Sequence, residues 1–131
     1  MRRLLRPLAA LSLIAVTSGT VLAAPFAFIS GSDLVDSSTL SVFDTATNSV
    51  TATIPIGGYP FGVAVTASGA RVYVTIETPT GGAVQAIDTA TNSIVMNKAL
   101  GILTTPFGVA TNPSGTRLYV TYLDESDGTR S

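Results

Sequence analysis

The chain has 131 residues with seven basic and eight acidic side chains, and it contains no cysteine, histidine or tryptophan. The missing cysteine excludes disulfide bonds and thiolate metal sites, and the missing histidine excludes the usual zinc ligand, the usual general base and a Ser–His nucleophile. This length favours one small domain.

The first 23 residues have the pattern of a secretory signal peptide. Three arginines among the first six residues precede an apolar run over residues 8–16, and Val21 and Ala23 offer small side chains before a cleavage point. A buried N-terminal helix or a retained membrane anchor is the alternative. We predict export to the periplasm, the medium or the cell surface, with no membrane span after cleavage.

Cleavage at that point changes the charge of the chain. Four basic residues would remain against eight acidic residues, a net charge of −4. Nucleic-acid binding needs basic patches that displace counterions, and attachment to anionic lipid needs them too. The charge therefore predicts neither kind of partner.

Short β-prone segments separated by turn signals follow the leader. Residues 26–30 are the first such run, and a polar loop follows it. Residues 39–43 and 49–54 alternate polar and apolar side chains on either side of a DTATN turn at residues 44–48, which predicts a hairpin. Pro55 cannot donate to a ladder and favours an edge strand.

A 16-residue segment begins at Pro60 and returns at Pro106. The two copies, PFGVAVTASGARVYVT and PFGVATNPSGTRLYVT, are identical at 11 of 16 positions. Each predicts a strand, a tight turn with glycine and a return strand, and the apolar run at residues 61–66 predicts burial on both faces. Residues 77–82 are predicted as a loop, and the DTATN turn recurs at residues 88–92 between two further strands.

The repeats predict an all-β fold. Repeat distances of 44 and 46 residues indicate an array of one supersecondary unit. Each unit is a four-stranded antiparallel meander, which is the blade of a β-propeller. We therefore predict an incomplete propeller over residues 24–131, with blade fragments at about residues 26–58, 60–101 and 106–131. Nine strands amount to a little over two blades.

The repeated segments resemble the YVTN β-propeller repeat family. The resemblance lies in RVYVT at residues 71–75, RLYVT at residues 117–121, the GVAV and SG segments before them and the IDTATNS turn. It implies secreted or cell-surface propellers, many of them in surface-layer or periplasmic proteins. Related propellers include lactonases and sensor or cofactor domains of oxidoreductases, but no motif assigns such an activity to residues of this chain.

The number of predicted blades falls short of a closed propeller. Propellers close with about four to eight blades, and stacked repeats need about three units or more for stability. We expect either a truncated or partial gene product or a protomer that partners complete. Uncovered blade faces and unpaired strand edges also predict self-association.

The loops that differ between repeats are the candidate binding surface. The TASG, NPSG and DTATN turns repeat and are predicted to fix hairpin register, whereas the loops at the opposite edge vary and are free to bind. These loops carry six of the eight acidic residues: Asp33, Asp36, Glu77, Asp124, Glu125 and Asp127. They predict a docking face for a basic partner, with Asp124 and Asp127 as weak candidates for a calcium site. The alternative is solvated acids that maintain solubility.

We predict a secreted or cell-surface repeat protein that acts as a binding or structural scaffold, without enzymatic activity or cofactor. The alternative is the remnant of a propeller enzyme, either a lactonase-like hydrolase or a cofactor-dependent periplasmic oxidoreductase. Asp44 and Asp88 recur at turn starts, so we predict backbone caps rather than a catalytic pair. Arg71 and Arg117 also recur, and each is predicted to pair with a neighbouring acid or to cover apolar surface with its stem.

Overall fold

A computed structural model describes residues 26–32 and 38–125, which form nine β-strands and no helix. Accordingly, these residues include no helix that could cross a membrane. The predicted leader and the candidate residues Asp33, Asp36 and Asp127 lie outside the described residues. The strands are β1 (Phe26–Ser32), β2 (Ser38–Asp44), β3 (Ser49–Pro55), β4 (Tyr59–Val65), β5 (Arg71–Thr78), β6 (Gly81–Asp88), β7 (Ser93–Gly101), β8 (Thr104–Thr111) and β9 (Leu118–Asp124).

The strands form three antiparallel sheets in chain order. The first sheet contains β1, β2 and β3, the second contains β4 to β7, and the third contains β8 and β9. In each sheet, strands that follow one another in the sequence pair with one another. The predicted all-β fold and its division into three, four and two strands are confirmed. Pro55 ends β3, which is an edge strand as predicted.

Local side-chain chemistry explains the DTATN turns. The Oδ1 atoms of Asp44 and Asp88 accept hydrogen bonds from the backbone N–H groups two and three residues on, at 2.8 and 3.3 Å and at 3.0 and 3.2 Å. Asn48 and Asn92 have φ angles of 53° and 54°, which asparagine tolerates better than most residues. The two copies therefore have the same turn, and the capping role predicted for both aspartates is confirmed.

The hydrophobic core lies between the first and second sheets. Its side chains come from alternate positions, as expected when one face of each strand faces the neighbouring sheet. In β5 these positions are Val72, Val74 and Ile76, all fully buried. The buried members of the core are Phe28, Leu40, Val42, Ile54, Ile56, Val72, Val74, Ile76, Ala83 and Ile87.

The prediction that the segment from residue 61 to 66 is buried on both faces is confirmed in part: Val63 and Val65 pack against the core between the first two sheets, and Gly62 on the other face lies against β8. Only Ala64 is buried within β4, and Thr66 is buried just beyond it. Burial is incomplete because β4 is the edge strand of the second sheet and pairs with β5 alone among the described residues. The most completely buried strand is β6, which lies in the interior of that sheet.

The predicted loop at residues 77–82 is a two-residue turn. Strand β5 continues to Thr78 and β6 begins at Gly81, so only Pro79 and Thr80 separate them. The Thr78 hydroxyl donates to the Gly81 carbonyl oxygen at 2.8 Å, and Gly81 has a φ angle of 118°, which strongly favours glycine. Glu77 therefore lies in a strand rather than in a loop.

The sheets pack through their first strands. Strand β8 lies against β4, β5 and β6, and β4 in turn lies against β1. The rings of Phe61 and Phe107 meet edge to face, with centroids 6.0 Å apart. The first strand of the third sheet therefore covers the second sheet.

Candidate functional site

The candidate site is the edge of the sheets formed by the β5–β6 turn, the β7–β8 connection and the end of β9, here called the loop edge. Glu77 Oε1 accepts a hydrogen bond from the Thr105 hydroxyl at 3.5 Å, which joins the second sheet to the third. The backbone N–H of Glu125 donates to the Leu103 carbonyl oxygen at 3.0 Å. Three of the predicted acids, Glu77, Asp124 and Glu125, thus belong to this edge.

These acidic side chains are solvent-exposed. Glu77, Asp124 and Glu125 are all in the exposed class, and Asp124 pairs in register with Thr104 at the start of β8. Within residues 26–32 and 38–125, no group of three His, Cys, Asp or Glu side chains could hold a metal ion. The calcium candidate at Asp124 and Asp127 stays a prediction because Asp127 lies outside those residues.

Two apolar side chains stand beside the acids, and sequence reasoning missed them. Ile102 and Leu103 form the tip of the β7–β8 connection and are 73% and 60% exposed. Gly101, with a φ angle of 146°, and Leu103, with a φ angle of 56°, make the turn, and the Thr104 hydroxyl closes it by donating to the Gly101 carbonyl oxygen at 2.8 Å. The sequence feature that could have predicted this exposed tip is an Ile–Leu pair between two predicted strands, where polar residues are usual.

A shallow cleft of about 500 Å³ opens next to this tip. Thr78 and Thr80 supply hydroxyl groups to its lining, Asn97 supplies an amide, and Ile102 closes one side. The lining carries no charged side chain. Such a surface can exchange hydrogen bonds with a polar group of a partner while Ile102 contacts an apolar one.

At the opposite edge of the second sheet, the β4–β5 and β6–β7 turns contact each other. The Thr89 hydroxyl donates to the Gly69 carbonyl oxygen at 2.7 Å, which ties the β6–β7 turn to the β4–β5 turn. Arg71 and Asp88 approach within 3.9 Å there, so the predicted pairing with a neighbouring acid is confirmed for Arg71; Arg117 forms no such ion pair among the described residues. These contacts satisfy the turns internally, which fits a structural role for this edge.

Comparisons with known proteins identify the fold but neither a family nor a function. No protein-family model matches the chain, and no curated protein matches it significantly. The resemblance to the YVTN repeat family therefore stays a prediction.

Two solved structures illustrate the similarity. Hydrazine synthase of Kuenenia stuttgartiensis is 22% identical with a TM-score of 0.61, over 78% of this chain and 30% of that one. The Dos1 propeller is 15% identical with a TM-score of 0.67, over 86% of this chain and 29% of that one. The chain thus spans less than a third of the length of either structure. These identities show the fold alone, which is that of successive β-propeller blades.

Proposed function

We propose that the chain is an exported β-propeller-type scaffold, without enzymatic activity, whose loop edge binds a partner that carries basic side chains. One observation supports this more than any other: Glu77, Asp124 and Glu125 lie exposed at the same edge as the apolar tip of Ile102 and Leu103. The residues at the other edge are engaged with one another in turns. Exposed acidic side chains beside exposed apolar ones suit a partner that carries basic and apolar side chains together.

The two kinds of side chain have different effects on binding. An exposed ion pair contributes only about 0–1 kcal/mol, so the acids mainly orient the partner and set its charge. Complete burial of a side chain such as Ile102 or Leu103 contributes about 1.5–3 kcal/mol. An apolar centre with a charged rim is the usual arrangement of a protein interface.

The enzyme alternative gains no support from the similarity to hydrazine synthase. That similarity is 22% in sequence identity and concerns the fold. Propellers of the same architecture serve many functions, so the activity of one does not transfer to another.

A matched pair of charge-neutral variants tests the binding edge. The chain is expressed with its leader, and the exported form is expected to have the mass of a product beginning at Ala24. A fluorescent alternating lysine–valine peptide, which offers basic and apolar side chains together, is then titrated at low salt. Glu77→Gln is expected to weaken binding by up to about five-fold, the effect of losing one exposed ion pair. Ile102→Ser is expected to weaken it further through lost apolar burial.

Asp44→Asn is the control. It makes the same change of charge at the opposite edge, and the amide oxygen can still accept the two hydrogen bonds of the turn. Its affinity for the peptide should equal that of the unmodified chain. Equal weakening by Glu77→Gln and Asp44→Asn would show that net charge alone attracts the peptide, and the proposal would fail.

A further inference from the structure

Three aromatic side chains form a row across the second and third sheets. The rings of Tyr59 and Phe61 have centroids 5.5 Å apart and an interplanar angle of 63°. The ring of Phe61 meets that of Phe107 with centroids 6.0 Å apart and an angle of 74°. Both contacts are edge to face, an arrangement that aromatic pairs prefer. We call Tyr59, Phe61 and Phe107 the aromatic row.

The two ends of the aromatic row are only partly covered by the rest of the protein. Phe61, at the centre, is half-buried, whereas Tyr59 and Phe107 are 49% and 51% exposed. Packing between the sheets accounts for the central ring. The exposed ring area at both ends is accessible to a partner, and aromatic residues are enriched in the buried centres of protein interfaces.

A carboxylate adjoins the row at Tyr59. Tyr59 pairs in register with Glu77 on β5, so the two side chains are neighbours on the same face of the second sheet. Glu77 Oε1 accepts a hydrogen bond from the Thr105 hydroxyl on β8, the strand that also carries Phe107. The carboxylate thus lies beside the first ring of the row and contacts the strand that carries the last ring.

This combination of groups attracts a cation. The face of an aromatic ring is electrostatically negative and attracts a cation that lies within about 6 Å of the ring centroid. The exposed carboxylate of Glu77 attracts the same charge, and Glu77 forms no ion pair within the described part of the chain. A basic side chain placed here would therefore contact a ring and a carboxylate together.

Arginine fits this pair of groups better than lysine does. Its guanidinium group is planar, so it can stack on an aromatic ring while its N–H groups donate to both oxygens of a carboxylate. It is also more weakly hydrated than the ammonium group of lysine, so contact with a ring costs it less solvation. Lysine offers a compact charge that has no flat face to stack.

We propose that the aromatic row and Glu77 bind an arginine side chain of the partner. The guanidinium group stacks on the ring of Tyr59 and donates to the carboxylate of Glu77, and apolar parts of the partner cover Phe107. Phe61 positions the ring of Tyr59 through their edge-to-face contact. This inference rests on the proposed function, because Glu77 belongs to the loop edge, and it specifies which basic residue that edge prefers.

Two fluorescent peptides of equal length and charge test the preference. One alternates lysine and valine, the other alternates arginine and valine, and each is titrated into the exported chain at low salt. The arginine peptide is expected to bind about 3- to 10-fold more tightly. Tyr59→Leu keeps a large apolar side chain but removes the ring. It should weaken binding of the arginine peptide about 2- to 5-fold, the effect of one exposed cation–π contact, and change the lysine peptide less.

Phe26→Leu is the matched control. Phe26 is 43% exposed and pairs in register with an acid, Asp44, at the opposite edge of the first sheet. The Asp44 carboxylate already accepts two hydrogen bonds of its turn, and no second ring contacts Phe26 among the described residues. This variant should leave both affinities unchanged. Circular dichroism should show that the Tyr59→Leu and Phe26→Leu chains are folded.

The outcomes separate this inference from the proposed function. Saturable binding of both peptides with equal affinity would overturn the arginine site and leave the binding edge in place. Equal weakening of both peptides by Tyr59→Leu would also overturn it, because loss of apolar area and not of stacking would then explain the effect. If neither peptide binds, the proposed function fails and the arginine site fails with it.

Discussion

The second and third sheets begin with nearly the same hairpin in two different surroundings. Val74 is fully buried, whereas its counterpart Val120 is half-buried. Ile76 is also fully buried, and its counterpart Tyr122 is 49% exposed. On β5, Val74 and Ile76 pack in the core against the first sheet and have β6 beside them, whereas β9 pairs with β8 alone among the described residues. The neighbouring strands, and not the sequence of the hairpin, therefore determine how far its side chains are buried.

The local geometry of the two hairpins is nevertheless the same. The N–H groups of Gly69 and Gly115 donate to the carbonyl oxygens of Thr66 and Asn112 at 2.8 and 2.9 Å. The two glycines have φ angles of 72° and 69°. The residues of one repeat thus determine the geometry of its turn, whereas contacts between repeats determine how its side chains are packed.

The largest expected difference between the sheets concerns their apolar side chains. Ile76→Ala should lower the free energy of unfolding by about 2–5 kcal/mol, because it leaves a cavity in the core. Tyr122→Ala, at the corresponding position, should cost less than about 1 kcal/mol because the side chain is half-exposed. Urea unfolding followed by circular dichroism measures both. Equal losses would show that the third sheet is as well buried in solution as the second.

A smaller difference is expected at Thr75 and Thr121, which occupy equivalent positions. Their hydroxyl oxygens accept hydrogen bonds from the N–H groups of Gly62 and Gly108 at 2.8 and 3.0 Å. Thr75→Val leaves the Gly62 N–H without its partner in a region covered by β8, and should cost about 1–3 kcal/mol. Thr121→Val exposes the Gly108 N–H to water, and should cost less than about 0.5 kcal/mol. The same unfolding measurement applies, with Thr75→Ser as the control that keeps the hydroxyl. A cost for Thr121→Val as large as that for Thr75→Val would contradict the comparison.

The smallest expected effect separates the two DTATN turns of the first and second sheets. Asp88→Asn keeps the turn but removes the charge that faces Arg71, both side chains being partly exposed, and should cost at most about 1 kcal/mol. Asp44→Asn should cost nearly nothing, because the residue opposite Asp44 is Phe26. The difference should vanish at about 1 M salt, where exposed pairs are screened. Persistence at high salt would indicate that the turn, and not the ion pair, is affected.

Features that depend on a few adjacent residues could be predicted from the sequence. The aspartate caps, the left-handed asparagines and the glycine turns follow from side chains acting on their own backbone. The number of strands followed from the repeats. The apolar run at residues 61–66 indicated that both faces of β4 are covered but not that β4 is an edge strand, because such a run does not distinguish an edge strand from a central one. The Pro79 and Gly81 signals suggested a loop, but the positive φ of Gly81 allows a two-residue turn instead.

The candidate site was predictable only in part. Antiparallel topology placed Glu77 and the end of β9 at one edge, and the structure brings them to that edge. The apolar tip of Ile102 and Leu103 was missed, because the sequence does not distinguish an exposed apolar pair from a buried one. Only the geometry of the turn shows that these two side chains are exposed. The partner of this edge depends on groups outside the chain, so no pattern within it specifies that partner.

The position of β8 has a consequence for synthesis on the ribosome. The second sheet is complete at Gly101, and the strand that shields it ends ten residues later at Thr111. At a translation rate of about 5–20 residues per second, β8 is synthesised about 0.5–2 s after the second sheet. The first and second sheets thus each emerge with a covering strand of the next sheet directly behind them, which shortens the time during which a ribosome-bound chain can aggregate.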